Sequence, residues 1–442
     1  MKPIRWLHVP SSIVGGVVGL AIVQTLLGVR GQLPAWMADA LPQFRSWAAP
    51  LIALVFAGVL MEKSPRSEGT HSTDVLRQGL AAWIVVLGQV ALGLIATALW
   101  IGPSFGVPGT FGQLIEVGMA GGPGTARAMG EVYARQFHFD AGTDLGLFVA
   151  TFGLVWGVFS GIALVNIGHR LGWPALRDEH AGGPRIVSGI ETDEVGNSLG
   201  TSRVRADVLD PLMLQLLWLV LAFAVGMGLQ WSFGALLRRL DAIVPAHTLL
   251  SYLGQLPLFL FTMAGGWIVR ETLHRTGLAR LLDLTTLQRL TGVSLELLIV
   301  TSLTGISLSA IRLYFVPVAV LLVLGSAWCV FNLVWVSPRL LPKRHWFELG
   351  LMNYGFATAT TPQSILLLKM VDRDLKTGAA EVYAAAVPLS APFVGGGVLT
   401  LVVFPLLIER IGTGAVGALC VVAIIPLWLV GRRLVRRAET RS

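Results

Sequence analysis

Charged residues are scarce in this chain of 442 residues. Lys, Arg, Asp and Glu together make up 13% of it, and 54% of the residues are hydrophobic. A soluble domain carries roughly 25% charged residues. The mean hydropathy is +0.71. These values exclude an ordinary soluble domain and predict a protein that lies largely within a membrane.

Cysteine and the common catalytic motifs are equally scarce. Cys329 and Cys420 are the only cysteines, and both lie inside apolar stretches, so neither a disulfide framework nor a cysteine metal site is expected. The sequence has no HExxH motif, no P-loop and no dinucleotide fingerprint. An ATP-driven pump and an intramembrane metalloprotease are therefore not expected. We predict that the chain is not an enzyme and binds no organic cofactor.

Long apolar stretches fill most of the sequence. A helix needs about 20 apolar residues to span a bilayer. We therefore predict an all-α polytopic membrane protein with about 10 transmembrane helices. The candidate spans are 12–29, 44–61, 79–101, 142–168, 208–231, 246–269, 292–311, 313–336, 379–408 and 412–431.

Two stretches rich in glycine and threonine interrupt this pattern, one in each half of the chain. The first covers about 110–130 and the second about 346–370, and in both a glutamate, Glu116 or Glu348, stands two residues before a glycine. Backbone that is not helical at membrane depth must be buried in protein or line a wet cavity. Paired breaks of this kind point to the binding site of a transporter. We therefore predict two re-entrant hairpins with the site at their tips.

The distribution of basic residues predicts the orientation in the membrane. With a cytoplasmic N-terminus, and with each hairpin entering and leaving on one face, 25 of the 33 Lys and Arg residues lie in cytoplasmic loops, including the C-terminal tail. The first hairpin then enters from outside and the second from the cytoplasm. The two halves would therefore be inverted-topology repeats. The net charge of +8 follows from this loop pattern and does not indicate a nucleic-acid partner.

The same topology predicts the division of the chain. Residues 1–170 form an N-terminal membrane repeat, and residues 207–408 form a C-terminal one. The segment 171–206 between them is rich in glycine and charge and is predicted to be a cytoplasmic linker, although a merely variable loop is an open alternative. Residues 409–442 add one further span and a basic cytoplasmic tail.

Candidate binding residues cluster at the two predicted tips. Glycine allows close backbone approach, free amide groups at a helix start suit a carboxylate, and hydroxyl and amide side chains suit a carboxylate, an ammonium group or sodium. Purely structural turns and hydroxyls bonded to their own helix are the open alternatives. Arg127 could pair with a substrate carboxylate or extend to the outer surface. The candidates are Gly121, Gly122, Gly124, Thr125, Arg127, Gly355, Thr358, Thr360, Thr361 and Gln363.

Sodium is the coupling ion that we expect, because neutral and anionic oxygens suit a hard cation. The candidate ligands are Thr360, Thr361, Asp144 and Glu381. Asp144 and Glu381 each open the long span that follows a hairpin, where a carboxylate also interacts favourably with the helix dipole. Both roles are open for these two residues.

Several short motifs occur in a particular order between residues 8 and 408. They are His8-Val-Pro-Ser-Ser-Ile-Val-Gly15-Gly16, Gly121-Gly122-x-Gly124-Thr125, Ala150-Thr151-Phe152-Gly153-Leu154, Gly355-Phe356 with Thr361-Pro362, and Val387-Pro388. In this combination of motifs, order and spacing, the chain resembles the bacterial sodium/glutamate symporter family.

The resemblance implies a secondary transporter of the bacterial inner membrane that carries an anionic amino acid such as glutamate with sodium. It also implies two inverted repeats of five spans with a re-entrant hairpin each, a homodimer, and an elevator-like movement of the hairpin-bearing part. The chain departs from the family pattern in its last shared span, where Gly396 and Leu399 replace an acidic and an amide residue. The family also has a further span before the position of His8, and this chain has a span at 412–431 after the usual end.

Two other functions are compatible with the sequence. One is a proton-coupled carrier of another carboxylate or of a neutral solute. The other belongs to a different class, a non-transporting membrane receptor or a membrane enzyme in which the hairpins are structural. An enzyme would need a nucleophile with its base, or a metal site, at membrane depth, and a receptor would need a signalling domain; the sequence shows none of these.

Overall fold

Helices make up all the regular structure in the described part of the chain. The computed structural model describes residues 11–30, 32–59, 61, 72–175, 210–241, 254, 256, 258–306, 308–359, 361–372 and 375–439, and no strand occurs among them. Five helices within these ranges are long and apolar enough to cross a membrane, and they cover Ser72–Phe105, Gly142–Leu171, Leu212–Asp241, Phe315–Leu340 and Thr413–Arg437. The protein is thus an all-α membrane protein, as its composition predicts.

The described α-helices of five or more residues are numbered in the order in which they occur along the chain. In the first half they are α1 (Ser11–Arg30), α2 (Ala35–Ser46), α3 (Ala48–Val59), α4 (Ser72–Ala96), α5 (Leu114–Gly118), α6 (Gly122–Phe137) and α7 (Gly142–Leu171). In the second half they are α8 (Pro211–Asp241), α9 (Leu258–Arg275), α10 (Leu284–Thr304), α11 (Leu308–Leu313), α12 (Phe315–Phe331), α13 (Trp346–Thr358), α14 (Thr361–Lys369), α15 (Ala379–Ser390), α16 (Phe404–Ile411) and α17 (Thr413–Glu439). Single 3₁₀ turns cover Gly109–Gln113 and Leu278–Leu281.

The described helices form two compact units, and each unit draws on both halves of the sequence. One unit, called the hairpin unit below, contains the described residues of 64–186 and 306–442, and therefore α4–α7 and α11–α17. The second unit contains α1–α3 and α8–α10. The two interrupted stretches that the sequence marks thus lie in the same unit, although more than 200 residues separate them.

Small residues allow the helices of the second unit to pack closely. A methyl group added at Gly265 of α9 would collide with the carbonyl oxygen of Ala222 in α8, and one at Gly266 with that of Ala57 in α3. The hydroxyl of Thr262 donates a 2.7 Å hydrogen bond to the carbonyl oxygen of Ala53. Glycine contacts and interhelical hydroxyl bonds are typical of helix packing in membranes, where no hydrophobic effect drives helices together.

Prolines shape the ends of the helices in the hairpin unit. Three π-helical turns occur in this unit, at Thr97–Ile101, Asn332–Val336 and Leu399–Val403. A proline stands two residues after the end of each turn, at Pro103, Pro338 and Pro405. Proline lacks an N–H group and clashes with the carbonyl four residues earlier. In each case the residue before the proline donates to the carbonyl five residues back. Each helix therefore widens to a bond between residues five apart directly before its proline.

The predicted span 379–408 is interrupted in the structure. Helix α15 ends at Ser390, and regular helical structure resumes only at 398. The segment 391–397 between them includes Gly395 and Gly396, whose φ angles of +67° and +104° lie in the region that favours glycine. The expectation of a continuous span was therefore wrong at this point. We call 391–397 the broken segment.

Candidate binding site at the hairpin tips

Residues 109–137 form the first helical hairpin. The arm 109–118 runs beside the first half of α7 in the same direction: the Phe111 ring lies 6.1 Å from that of Phe139, and Gly118 packs against Val149. Helix α6 runs antiparallel to α7, with Gly130 packed against Thr143. The chain therefore reverses at residues 119–121.

Residues 346–369 form the second helical hairpin. Gly355 of α13 lies against the backbone of Ser364 in α14, because the chain reverses between these two helices. Helix α13 runs antiparallel to α7: the Tyr354 hydroxyl lies 2.6 Å from that of Ser160. At the base of α13, the buried Glu348 accepts a 2.7 Å hydrogen bond from the backbone N–H of Ala175.

The two hairpin tips meet at Gly153, in the middle of α7. A methyl group added at Gly153 would collide with the carbonyl oxygen of Thr358 and would lie 3.3 Å from the Met119 side chain. Met119 and Thr358 are both fully buried. The glycine therefore provides the space that brings both tips against one helix, within one compact unit.

The broken segment contacts both hairpins. The N–H of Gly395 donates a 2.8 Å hydrogen bond to Glu116 Oε1 in the first hairpin. A methyl group at Gly395 would also approach the Phe356 ring of the second hairpin to 3.0 Å. The fully buried Thr400 hydroxyl donates a 2.6 Å bond to the same Glu116 oxygen. Three non-helical or turning segments thus meet in one region, which is the candidate site.

A buried glutamine of α4 holds the tip of the second hairpin. Gln89 is fully buried, and its Nε2 donates a 2.7 Å hydrogen bond to the carbonyl oxygen of Ala357. Its Oε1 is buried and has no hydrogen-bond donor among the described residues. A backbone carbonyl at a turn therefore finds a side-chain partner in place of a helical one, as burial requires.

The predicted residues of the first tip are all in the turn or the first turns of α6. Gly121 precedes α6, and its N–H donates a 2.8 Å bond to the Glu116 carbonyl. Gly122 has a φ of +70°, which accounts for a glycine there. Gly124 is buried without such a backbone requirement.

Thr125 and Arg127 follow on the same helix. Thr125 is 1% exposed and packs against Gly396 of the broken segment, where a methyl group would collide with its hydroxyl oxygen. Arg127 is half-buried, and its Nε is buried and lacks an acceptor among the described residues. An added carboxylate would provide one.

The predicted residues of the second tip are less free to bind a ligand. The Thr358 hydroxyl donates a 2.8 Å hydrogen bond to the carbonyl oxygen of Tyr354 in the same helix. This is the structural alternative to ligand binding that the sequence analysis considered. Gln363 Nε2 lies 3.4 Å from that hydroxyl, and both side chains pack against Gly157 of α7. Thr360 lies outside the described residues, as does the side chain of Thr361.

The two predicted carboxylate ligands lie at helix starts. Asp144 is half-buried in the first turn of α7, nine residues before Gly153, which corresponds to about 14 Å along the helix. Glu381 is exposed in the first turn of α15. The described residues contain no group of three or more His, Cys, Asp and Glu side chains that could hold a metal ion. Both positions are those that the helix dipole favours.

Sequence reasoning missed the polar side chains that line the meeting point of the tips. Gln89 and Gln113 lie inside or next to apolar stretches and carry no motif. Thr400 lies in a stretch that the hydropathy predicts as an unbroken span. The one available signal was the run of three glycines at 395–397 inside that stretch, because consecutive glycines weaken a helix.

The chain was also compared with known proteins. No protein-family model, no curated protein and no solved structure matches it.

Proposed function

We propose that the protein is a secondary active transporter that carries an anionic amino acid such as glutamate together with sodium. The observation that carries the proposal is the meeting of two hairpin tips at Gly153, halfway along a long apolar helix. Interrupted helices that meet near the middle of a membrane protein are the usual construction of a transporter site. In a bilayer, such irregular backbone is tolerated only where protein or a wet cavity surrounds it.

The chemistry at the first tip suits a carboxylate substrate. Helix α6 begins at the tip, so that its first backbone N–H groups point toward the meeting point, and helix starts favour anions. Arg127, with its unpaired buried Nε, stands in the second turn of this helix. A guanidinium group forms strong, directed bonds to a carboxylate. We assign substrate recognition to this tip and to Gly355, Thr358 and Gln363 opposite.

Transport also requires that the tips separate. A cavity beside the second hairpin, lined by Gln78, Phe356, Tyr383 and Ser390 among others, has a volume of ≈ 30 Å³. This volume can hold a water molecule but not an amino acid. We propose that the hairpin unit carries the substrate across the membrane in an elevator-type movement.

The membrane arrangement follows from the charge distribution of the loops. We propose cytoplasmic termini, with the first hairpin entering from outside and the second from the cytoplasm. The resemblance to the sodium/glutamate symporter family supports a homodimer in the bacterial inner membrane. The two halves would then be inverted repeats, as in many secondary transporters.

Uptake by purified protein in liposomes tests the proposed function. We expect uptake of labelled glutamate or a related carboxylate under an inward sodium gradient, and little uptake under a proton gradient alone. Gly122→Val and Gly355→Val should abolish this uptake. A side chain at Gly355 would collide with the Ser364 backbone, and one at Gly122 would strain a φ of +70°. Gly228→Val in α8 is the matched control, since nothing lies within 4 Å of a methyl group there.

Three results would contradict the proposal. Uptake of none of a panel of carboxylates and neutral amino acids would favour a receptor or an enzyme. Uptake that ignores sodium and collapses with the proton gradient would identify a proton-coupled carrier. Normal uptake by both tip variants would show that the hairpins are structural.

A further inference from the structure

Glu116 is a fully buried carboxylate, and one of its oxygens lacks a partner among the described residues. Its Oε1 accepts from the N–H of Gly395 and from the hydroxyl of Thr400. Within the described part of the chain, its Oε2 has no hydrogen-bond donor and Glu116 forms no ion pair. A buried charge without a partner is costly, and a carboxylate at membrane depth is a functional suspect by default.

Gln113 has a second buried oxygen that lacks a hydrogen-bond donor among the described residues. It lies one turn before Glu116, so that both side chains are on the same face of the arm. Gln113 is fully buried, its Nε2 donates a 3.3 Å bond to the Thr400 carbonyl, and its Oε1 has no donor among the described residues. Both side chains therefore converge on Thr400. One turn earlier, the buried Thr110 hydroxyl also has no partner in the described chain.

The charge of this cluster identifies the class of ligand that would satisfy it. Tyr133 and Cys420 interact electrostatically with Glu116, and neither can carry a positive charge. Arg127 of α6 and Asp144 of α7 are further charged groups on helices that contact the arm, and neither forms a described ion pair with Glu116. Buried oxygen atoms that include a single carboxylate match a desolvated monovalent cation, whereas a divalent ion would leave an excess of positive charge.

We propose that Glu116, Gln113 and Thr400 bind the coupling sodium ion. Hard cations prefer carboxylate, amide and hydroxyl oxygens, and sodium engages several such oxygens at once, whereas a proton joins only two atoms. The bound ion would fix the first hairpin, which contains Glu116, to the broken segment and the helical turn that follows it. Gly395 lies in the broken segment and Thr400 in that turn. The description of this sodium ion as the coupling ion rests on the proposed transport function. The binding of sodium to these three residues does not require transport.

Sodium-dependent stability of the purified protein tests the site without any transport step. A ligand that binds only the folded state raises the melting temperature with its concentration. We expect sodium chloride to raise the melting temperature of the wild-type protein above that in equal choline chloride. Glu116→Gln should abolish this rise. Thr400→Val, which removes one hydroxyl, should raise the half-saturating sodium concentration about tenfold, the effect of about 1.4 kcal/mol of binding free energy.

Glu348→Gln is the matched control. Glu348 occupies the corresponding position of the second hairpin, is fully buried and also has an unpartnered Oε2, but its Oε1 contacts a backbone N–H and no side-chain oxygen. This variant should retain the sodium response. Should Glu116→Gln fail to fold, Thr400→Val and Gln113→Leu answer the same question.

The proposal is overturned if the variants at 113, 116 and 400 that fold respond to sodium as the wild type does. It is also overturned if the wild-type protein shows no sodium-specific rise, and a stability that depends on pH through Glu116 would then identify a proton site. A sodium response that Glu116→Gln abolishes, in a protein that transports nothing, would leave this site in place and refute the transport function alone.

Discussion

At the scale of single residues, Gly153 decides whether the two tips can share one helix. Its missing side chain leaves room for the Thr358 carbonyl, which is backbone and cannot move without its hairpin. We expect Gly153→Ala to lower uptake at least tenfold and to destabilise the protein by about 1–3 kcal/mol, the usual cost of overpacking. Liposome uptake and the melting temperature in detergent measure the two effects.

Gly292→Ala provides the control for this residue. Gly292 lies inside α10, and a methyl group there would meet nothing within 4 Å. A helical glycine replaced by alanine in open space should leave uptake unchanged and add about 0.5–1 kcal/mol of stability. Equal behaviour of the two variants would show that the packing at Gly153 is unimportant.

At the scale of elements, the broken segment depends on Gly396. Its φ of +104° is strained for any other residue, and a methyl group there would also collide with the Thr125 hydroxyl. Gly412, between α16 and α17, has a similar φ of +88° with nothing within 4 Å. Alanine variants at Gly396 and Gly412 can therefore be compared to distinguish the effect of backbone strain from the effect of contact with the first hairpin.

We expect both alanine variants to lose about 1–3 kcal/mol from backbone strain, and Gly396→Ala to lose more because the collision adds to it. Only Gly396→Ala should impair uptake. The melting temperatures and uptake rates of the two purified variants measure this difference. An equal loss in both variants would mean that the contact between Thr125 and the broken segment contributes nothing.

At the scale of the whole molecule, the proposed topology places the two halves in opposite orientations. A cysteine at Ser198, in the predicted linker and outside the described residues, should react with impermeant reagent only from the cytoplasm. Ser104 is exposed at the end of the helical stretch Ser72–Phe105, which begins with α4. A cysteine at this position should react only from outside. The natural Cys329 and Cys420 are buried, so their background labelling should be low. Labelling of both positions from the same face would refute the inverted arrangement.

The sequence by itself determined the features that depend on local composition. Apolar runs specify helices long enough to span a membrane, because the bilayer solvates side chains but no unpaired backbone. Glycine and threonine mark the stretches 110–130 and 346–370, in which the chain reverses at 119–121 and between α13 and α14. Hydropathy failed at 391–397, because glycine counts as apolar although its backbone freedom ends a helix.

Only the tertiary structure decided which of these breaks meet, and therefore which side chains form the candidate site. Glu116 and Thr400 lie 284 residues apart, and no local pattern joins them. Gln113 and Gln89 look like isolated polar residues in the sequence, and their unpartnered oxygens become visible only when burial removes water from around them. Local sequence specifies where a helix ends, whereas long-range packing specifies what faces the end, because contact energies depend on neighbours that the chain brings together only when it folds.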